Sequence, residues 1–104
     1  MNADDDTSLH VAAWNGHTRV VELLLGRGTL IEAIDEDNNT SLHLAAQNGR
    51  TSVVKLLLEK DASIEAVNGD NSTSLHIALR NGHIDIAELL LKKVVELILY
   101  GNSA

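Results

Sequence analysis

Histidines stand at positions 10, 43 and 76, each three residues after a threonine at 7, 40 and 73. A hydroxyl beside an imidazole is the pairing that nucleophilic catalysis uses, and a set of histidines is the raw material of a zinc site. Two carboxylate runs, Asp4-Asp5-Asp6 and Asp35-Glu36-Asp37, add candidate acids, bases and cation ligands. The spacing argues against all of these chemistries. Thr, His and the later Gly at 16, 49 and 82 each recur at a fixed period of 33 residues. Such a recurrence marks framework, copied once per structural unit. Histidines one repeat apart stand too far from each other to share a zinc ion, which needs bonds of about 2.1 Å. The carboxylate runs fall on turns. They lack the alternating oxygen ligands and closing Glu of a calcium loop, and the desolvated partner of a glycosidase pair. No phosphate-cradling Gly-rich loop and no nucleophile elbow is present. The sequence therefore predicts no catalytic residue, no metal and no cofactor.

The elements that carry these residues follow from the repeat. Thr7-Ser-Leu-His-Val-Ala-Ala-Trp-Asn-Gly-His17 returns at 40–50 and at 73–83. In each copy Thr is a predicted N-cap, and Leu9, Val11, Ala12 and Ala13 begin a helix of about two turns. Asn15-Gly16 ends it, with Gly16 suited to the left-handed residue beyond a helix. A second helix is expected over Thr18 to Leu25, where Val20, Val21, Leu23, Leu24 and Leu25 give a broad apolar face. Its counterparts run from Ser52 to about Lys60 and from Ile84 onward. Polar turns at Asp35 to Asn39 and Asn68 to Asn71 lead back to the next Thr, with Gly69 and the asparagines suited to positive φ.

Composition sets the bounds. The 104 residues fit one domain of about three repeats, read as 2–34, 35–67 and 68–93 with a C-terminal extension over 94–104. Aromatic residues make up only 2%, so the core must be aliphatic. A formal charge of −7 repels phosphate backbones and argues against nucleic acid. The absence of cysteine excludes disulfides and thiolate chemistry. Met1 to Asp6 does not read as a signal peptide. The most apolar stretch, 84–100, carries Asp85, Glu88, Lys92, Lys93 and Glu96, too many charges for a membrane span. An intracellular, cytoplasmic protein is expected.

The third copy ends irregularly. Val94 stands where Gly28 predicts a helix stop, and Val94-Val95-Glu96-Leu97-Ile98-Leu99 repeats the pattern of Val20 to Leu25. A single helix over Ile84–Tyr100 is the simplest reading. Its second half would leave Val94, Val95, Leu97, Ile98, Leu99 and Tyr100 unburied, which predicts a homodimer through this helix. The alternative is a break near Lys92-Lys93 and a fold-back that caps the stack.

These motifs resemble the ankyrin repeat family. The likeness rests on the Thr-x-Leu-His start, the paired alanines, the Gly-His turn and the Val-Val-x-Leu-Leu-Leu helix, and it covers residues 2 to 93. The resemblance implies an all-α solenoid of antiparallel helix pairs linked by β-hairpin-like loops, and a protein-binding role without catalysis. It also implies that His10, His43 and His76 bond locally to the Thr hydroxyl and to backbone of the adjacent loop. The chain departs from the family pattern in several places. Ser8, Ser41 and Ser74 replace the family's Pro, Asp61 replaces its helix-ending Gly, Glu32 and Glu65 replace its loop Asn, and Arg50 replaces its turn His.

Within that frame the variable positions are the expected binding residues. Trp14, Gln47 and Arg80 differ between copies, and with Asn15, Asn48 and Asn81 they are expected to line one groove. Trp14 reads either as an interface anchor or as a shield over the open end of the stack. Asp4 and Asp6, then Glu36, Asp37 and Asn39, then Asp70 are placed at loop tips. Their charge favours a basic protein partner, against a reading as a solvated rim. The rival reading is an engineered or truncated repeat array whose main property is stability or self-association.

Overall fold

A computed structural model describes the backbone of residues 3–101 and the side chains of residues 8–101. The chain forms α1 (Ala3–Asn15), α2 (Thr18–Gly26), α3 (Ser41–Gln47), α4 (Thr51–Glu59), α5 (Ser74–Arg80) and α6 (Ile84–Tyr100). No strand occurs among the described residues. Each odd-numbered helix turns back into the even-numbered helix that follows. The inner helices α1, α3 and α5 stack in one layer, and α2, α4 and α6 stack in a second. This is the solenoid that the 33-residue period implies.

The core lies where the two layers meet. Ala12, Ala45 and Ala78 are buried on the inner helices, opposite Val21, Val54 and Ala87 on the outer ones. Other positions are buried only when a neighbouring repeat covers them. Leu44 and Ile77 are buried, whereas Val11 at the same register is 53% exposed because nothing among the described residues precedes it. Val53 and Ile86 are buried and Val20 is not, for the same reason. At the other end, Leu9 and Leu42 are fully covered, while Leu75 is only half-buried.

Helix starts show why Thr and His recur together. Thr40 Oγ1 accepts from the His43 backbone N–H at 3.3 Å, and the Thr40 N–H donates to His43 Nδ1 at 2.9 Å. This is a reciprocal capping box in which His takes the place usually held by Glu or Gln. Thr73 and His76 repeat it. The first copy does not begin in the same way. Helix α1 starts at Ala3, so Thr7 lies inside the helix rather than at its cap, and the predicted cap is corrected. The backbone of Asp4 and Asp6 is accordingly helical, not a loop tip. Their side chains, and the expected shielding by Met1 to Asp6, lie outside the described residues.

The turns between paired helices are fixed by the next repeat. Gly16 has φ +75°, and a Cβ there would stand 2.9 Å from Arg50 Cδ. Arg50 crosses this glycine to donate from Nε to the Trp14 carbonyl at 3.0 Å. His83 makes the same reach, Nε2 to the Gln47 carbonyl at 3.0 Å. The residues after the turn thus latch each repeat to the one before it.

Helix α6 runs unbroken from Ile84 to Tyr100, which settles the choice between one helix and a fold-back. The expectation that its whole second half is unburied needs correction. Val94 and Leu97 are half-buried, because with buried Leu90 they form the i, i+4, i+7 stripe that faces the stack. Ile98, Leu99 and Tyr100 are 76%, 66% and 73% exposed, and Val95 is also exposed. No helix of the described residues is long and apolar enough to cross a membrane.

Candidate functional site

The loops between repeats project their tips beside the inner helices. Each tip is built by an Asx turn. Asp35 Oδ1 accepts from the Asp37 and Asn39 N–H groups at 2.9 and 2.8 Å. Asn68 Oδ1 accepts from Asp70 and Ser72 at 2.9 and 3.1 Å. Asn38 and Asn71 take positive φ, 63° and 60°, as Asn tolerates better than most residues. Asp61 does so as well, at 66°, where the family pattern has Gly.

Successive tips are joined edge to edge. The Gly69 N–H donates to the Asp37 carbonyl at 2.9 Å, and Asn68 Nδ2 donates to Asn39 Oδ1 at 2.9 Å. Gly69 is not at positive φ, contrary to expectation. Its lack of a side chain serves close approach, since a Cβ would meet the Asp37 carbonyl oxygen at 3.0 Å.

Between these tips and the inner helices lies an open groove of about 560 Å³. Glu36, Asp37, Asn39 and Asp70 line its rim, and Gln47, Arg80 and Asn81 its helical side. These are expected binding residues that the fold brings together. Gly69, expected at a loop tip, also lines it, as do Asn38, Asn68 and Ile77, which were not among the expected binding residues. Asn38 and Gly69 had a legible signal as turn residues, while Ile77 reads from sequence as core only.

Trp14, Asn15 and Asn48, also expected in the groove, fall elsewhere. Trp14 is 40% exposed at the first repeat and does not line this groove. Its carbonyl accepts from Asn48 Nδ2 at 3.0 Å. Asn15 and Asn81 donate from Nδ2 to the Val11 and Ile77 carbonyls at 2.9 and 2.8 Å. The three asparagines before the glycines therefore share one structural task, satisfying carbonyls of an inner helix.

The electrostatics of the groove are mixed. Glu36, Asp37 and Asp70 stand on the rim, opposite the guanidinium of Arg80, which donates from Nη2 to Ser72 Oγ at 3.0 Å. His43 is fully buried, with Nε2 on the carbonyls of Ala66 at 3.0 Å and Ser72 at 3.1 Å. Burial pushes its imidazole below the ordinary value, against the opposing pull of those carbonyls and of Asp35 and Glu32. Its Nε2 thus holds a loop, while its Nδ1 closes the capping box with Thr40. Among the described residues no group of His, Asp and Glu side chains is placed to hold a metal ion.

A comparison with curated proteins gives no match. The profile of the family described as ankyrin repeats (3 copies) matches residues 9–99, from within α1 to the last turn of α6. A match over that share of the sequence, on a fold with the same stacked pairs and linking loops, means that the chain belongs to the ankyrin repeat family.

Proposed function

We propose that the protein is a non-catalytic binding module that grips a protein partner in the groove between its loop tips and inner helices. Ankyrin repeats are generally protein–protein interaction modules, and the family membership supplies that general role. One observation carries the finer reading. Gln47 and Arg80, positions that vary while the framework stays constant, converge with the acidic tips on one open groove. The rim carries Glu36, Asp37 and Asp70, so the favoured partner presents a basic segment to the tips and an acceptor to Arg80.

Reversing Glu36, Asp37 and Asp70 to Lys is the direct test. These side chains are exposed, so the fold should stand. Binding of the partner should weaken by at least about tenfold and lose most of its salt dependence. Reversal of Glu88, on the outer layer, should change it little. Equal effects from the two faces would contradict the groove.

A second reading has its own support. Val95, Ile98 and Leu99 leave an apolar strip on α6, which favours a homodimer through this helix. Light scattering on the full chain and on one ending at Lys93 separates the two readings. A dimer lost on truncation supports self-association.

A further inference from the structure

The two loops that link repeats each answer a histidine of the inner layer. His10 Nε2 meets the Ala33 carbonyl at 2.8 Å, and His43 Nε2 meets the Ala66 carbonyl at 3.0 Å. His76 keeps its bonds to Thr73 through Nδ1, yet its Nε2 has no partner among the described residues. The cause lies in α6. Residues 94–100, which would form the third loop by the period, continue as helix instead.

Among the described residues, the space such a loop would fill is a groove of about 630 Å³. Its walls are the surfaces that a further loop would stack on. Ile64 and Glu65 come from the second loop, Leu75 and His76 from α5, and Val94 and Leu97 from α6. The volume lies in the range of ordinary ligand sites.

The interface that this groove continues is already present once in full. The second loop docks on the first through Ser63, whose N–H donates to Glu32 Oε2 at 2.7 Å. Three residues later the Ala66 carbonyl reaches His43. Ile64 lies between them, half-buried and packed against the core. The vacant position offers the same fittings in the same order. Glu65 corresponds to Glu32, His76 to His43, and Leu75 to Leu42. Glu65 is exposed and His76 is exposed, so both are open to an incoming chain.

We infer that this C-terminal groove is a second binding site, which captures an extended segment of a partner protein in place of the missing third loop. The segment donates a backbone N–H to Glu65 and inserts an apolar side chain between Leu75 and Leu97. Three residues after the donor, it offers a carbonyl to His76. Its chemistry is that of the chain's own loops, a β-branched aliphatic followed by Glu-Ala. The site lies beside α5 and α6, apart from the groove at the loop tips, so either can fail without the other.

The test uses the full chain and a blocked peptide Ala-Ser-Ile-Glu-Ala-Val, the sequence of residues 62–67. Titration to millimolar peptide should shift the His76 ring nitrogens saturably, by long-range proton–nitrogen NMR. Glu65→Ala should weaken binding about tenfold, the effect of losing one hydrogen bond to a charged group. A peptide with Asp in place of Ile should not bind. Three results would overturn the site. One is the absence of any saturable shift. Another is binding indifferent to both changes. The last is a His76 shift that follows protein concentration without peptide, which would give the groove to a second copy.

Discussion

Single residues here divide into those that hold the stack and those it leaves free, and the division is testable at Ser41. This serine is fully buried, and its hydroxyl is a buried polar atom without a hydrogen-bond partner among the described residues. It opens α3, at a position where Pro is well suited because the backbone N–H there needs no helical partner. Ser41→Pro should raise stability by roughly 0.4–1 kcal/mol through the unfolded chain alone. Loss of the orphaned hydroxyl adds to the gain. Urea unfolding should show a higher midpoint with an unchanged slope. His43 makes a second prediction. Burial lowers its folded pKa below the ordinary imidazole value of 6.5, so the unfolded chain binds the extra proton first. The contribution of neutral His43 is complete above about pH 6.5 and is lost as pH falls from there toward the folded value. Its ring signals should therefore titrate below 6.5 in the folded protein, and the urea midpoint should drop across that window. A midpoint at or above 6.5 would contradict the buried, neutral imidazole.

At the scale of elements the informative case is α6. Its first half is a repeat helix, with Ile86, Ala87 and Leu90 buried. Its second half is held by a thinner stripe through Val94 and Leu97. Val94→Pro removes a backbone donor and clashes with the carbonyl one turn back. Amide exchange at residues 95–100 should then rise sharply, while residues 86–90 keep most of their protection. Uniform loss of protection would mean that the extension is integral to the stack. The same contrast shows what the sequence could reveal about elements. Val94 in place of a stopping Gly was enough to predict one helix over Ile84–Tyr100. The alternation that sends Val94 and Leu97 inward and Ile98 outward depends on the neighbouring loop, which no local pattern contains. Thr7 shows the opposite failure. It matches Thr40 and Thr73 in sequence, yet α1 already begins at Ala3, so Thr7 falls within the helix.

For the whole molecule, the period of 33 residues made the solenoid legible, because stacking is the only way such units bury their apolar faces. The groove proposed for binding was legible in part. Gln47 and Arg80 stood out by varying within a constant frame, and the acidic tips by their turn chemistry. Trp14 stood out for the same reason and yet lies away from the groove, since the first repeat has no loop beside it among the described residues to complete one. Ile77 was hidden because a core residue and a groove floor look alike in sequence. The central claim is that a protein partner is held against the inner helices rather than the outer layer. A photocrosslinking side chain placed at Gln47, compared with one at Lys55 on α4, tests this directly. Crosslinks to one partner from position 47, lost when Glu36, Asp37 and Asp70 are reversed and absent from position 55, are the predicted result. Equal crosslinking from both positions, or from 55 alone, would contradict it.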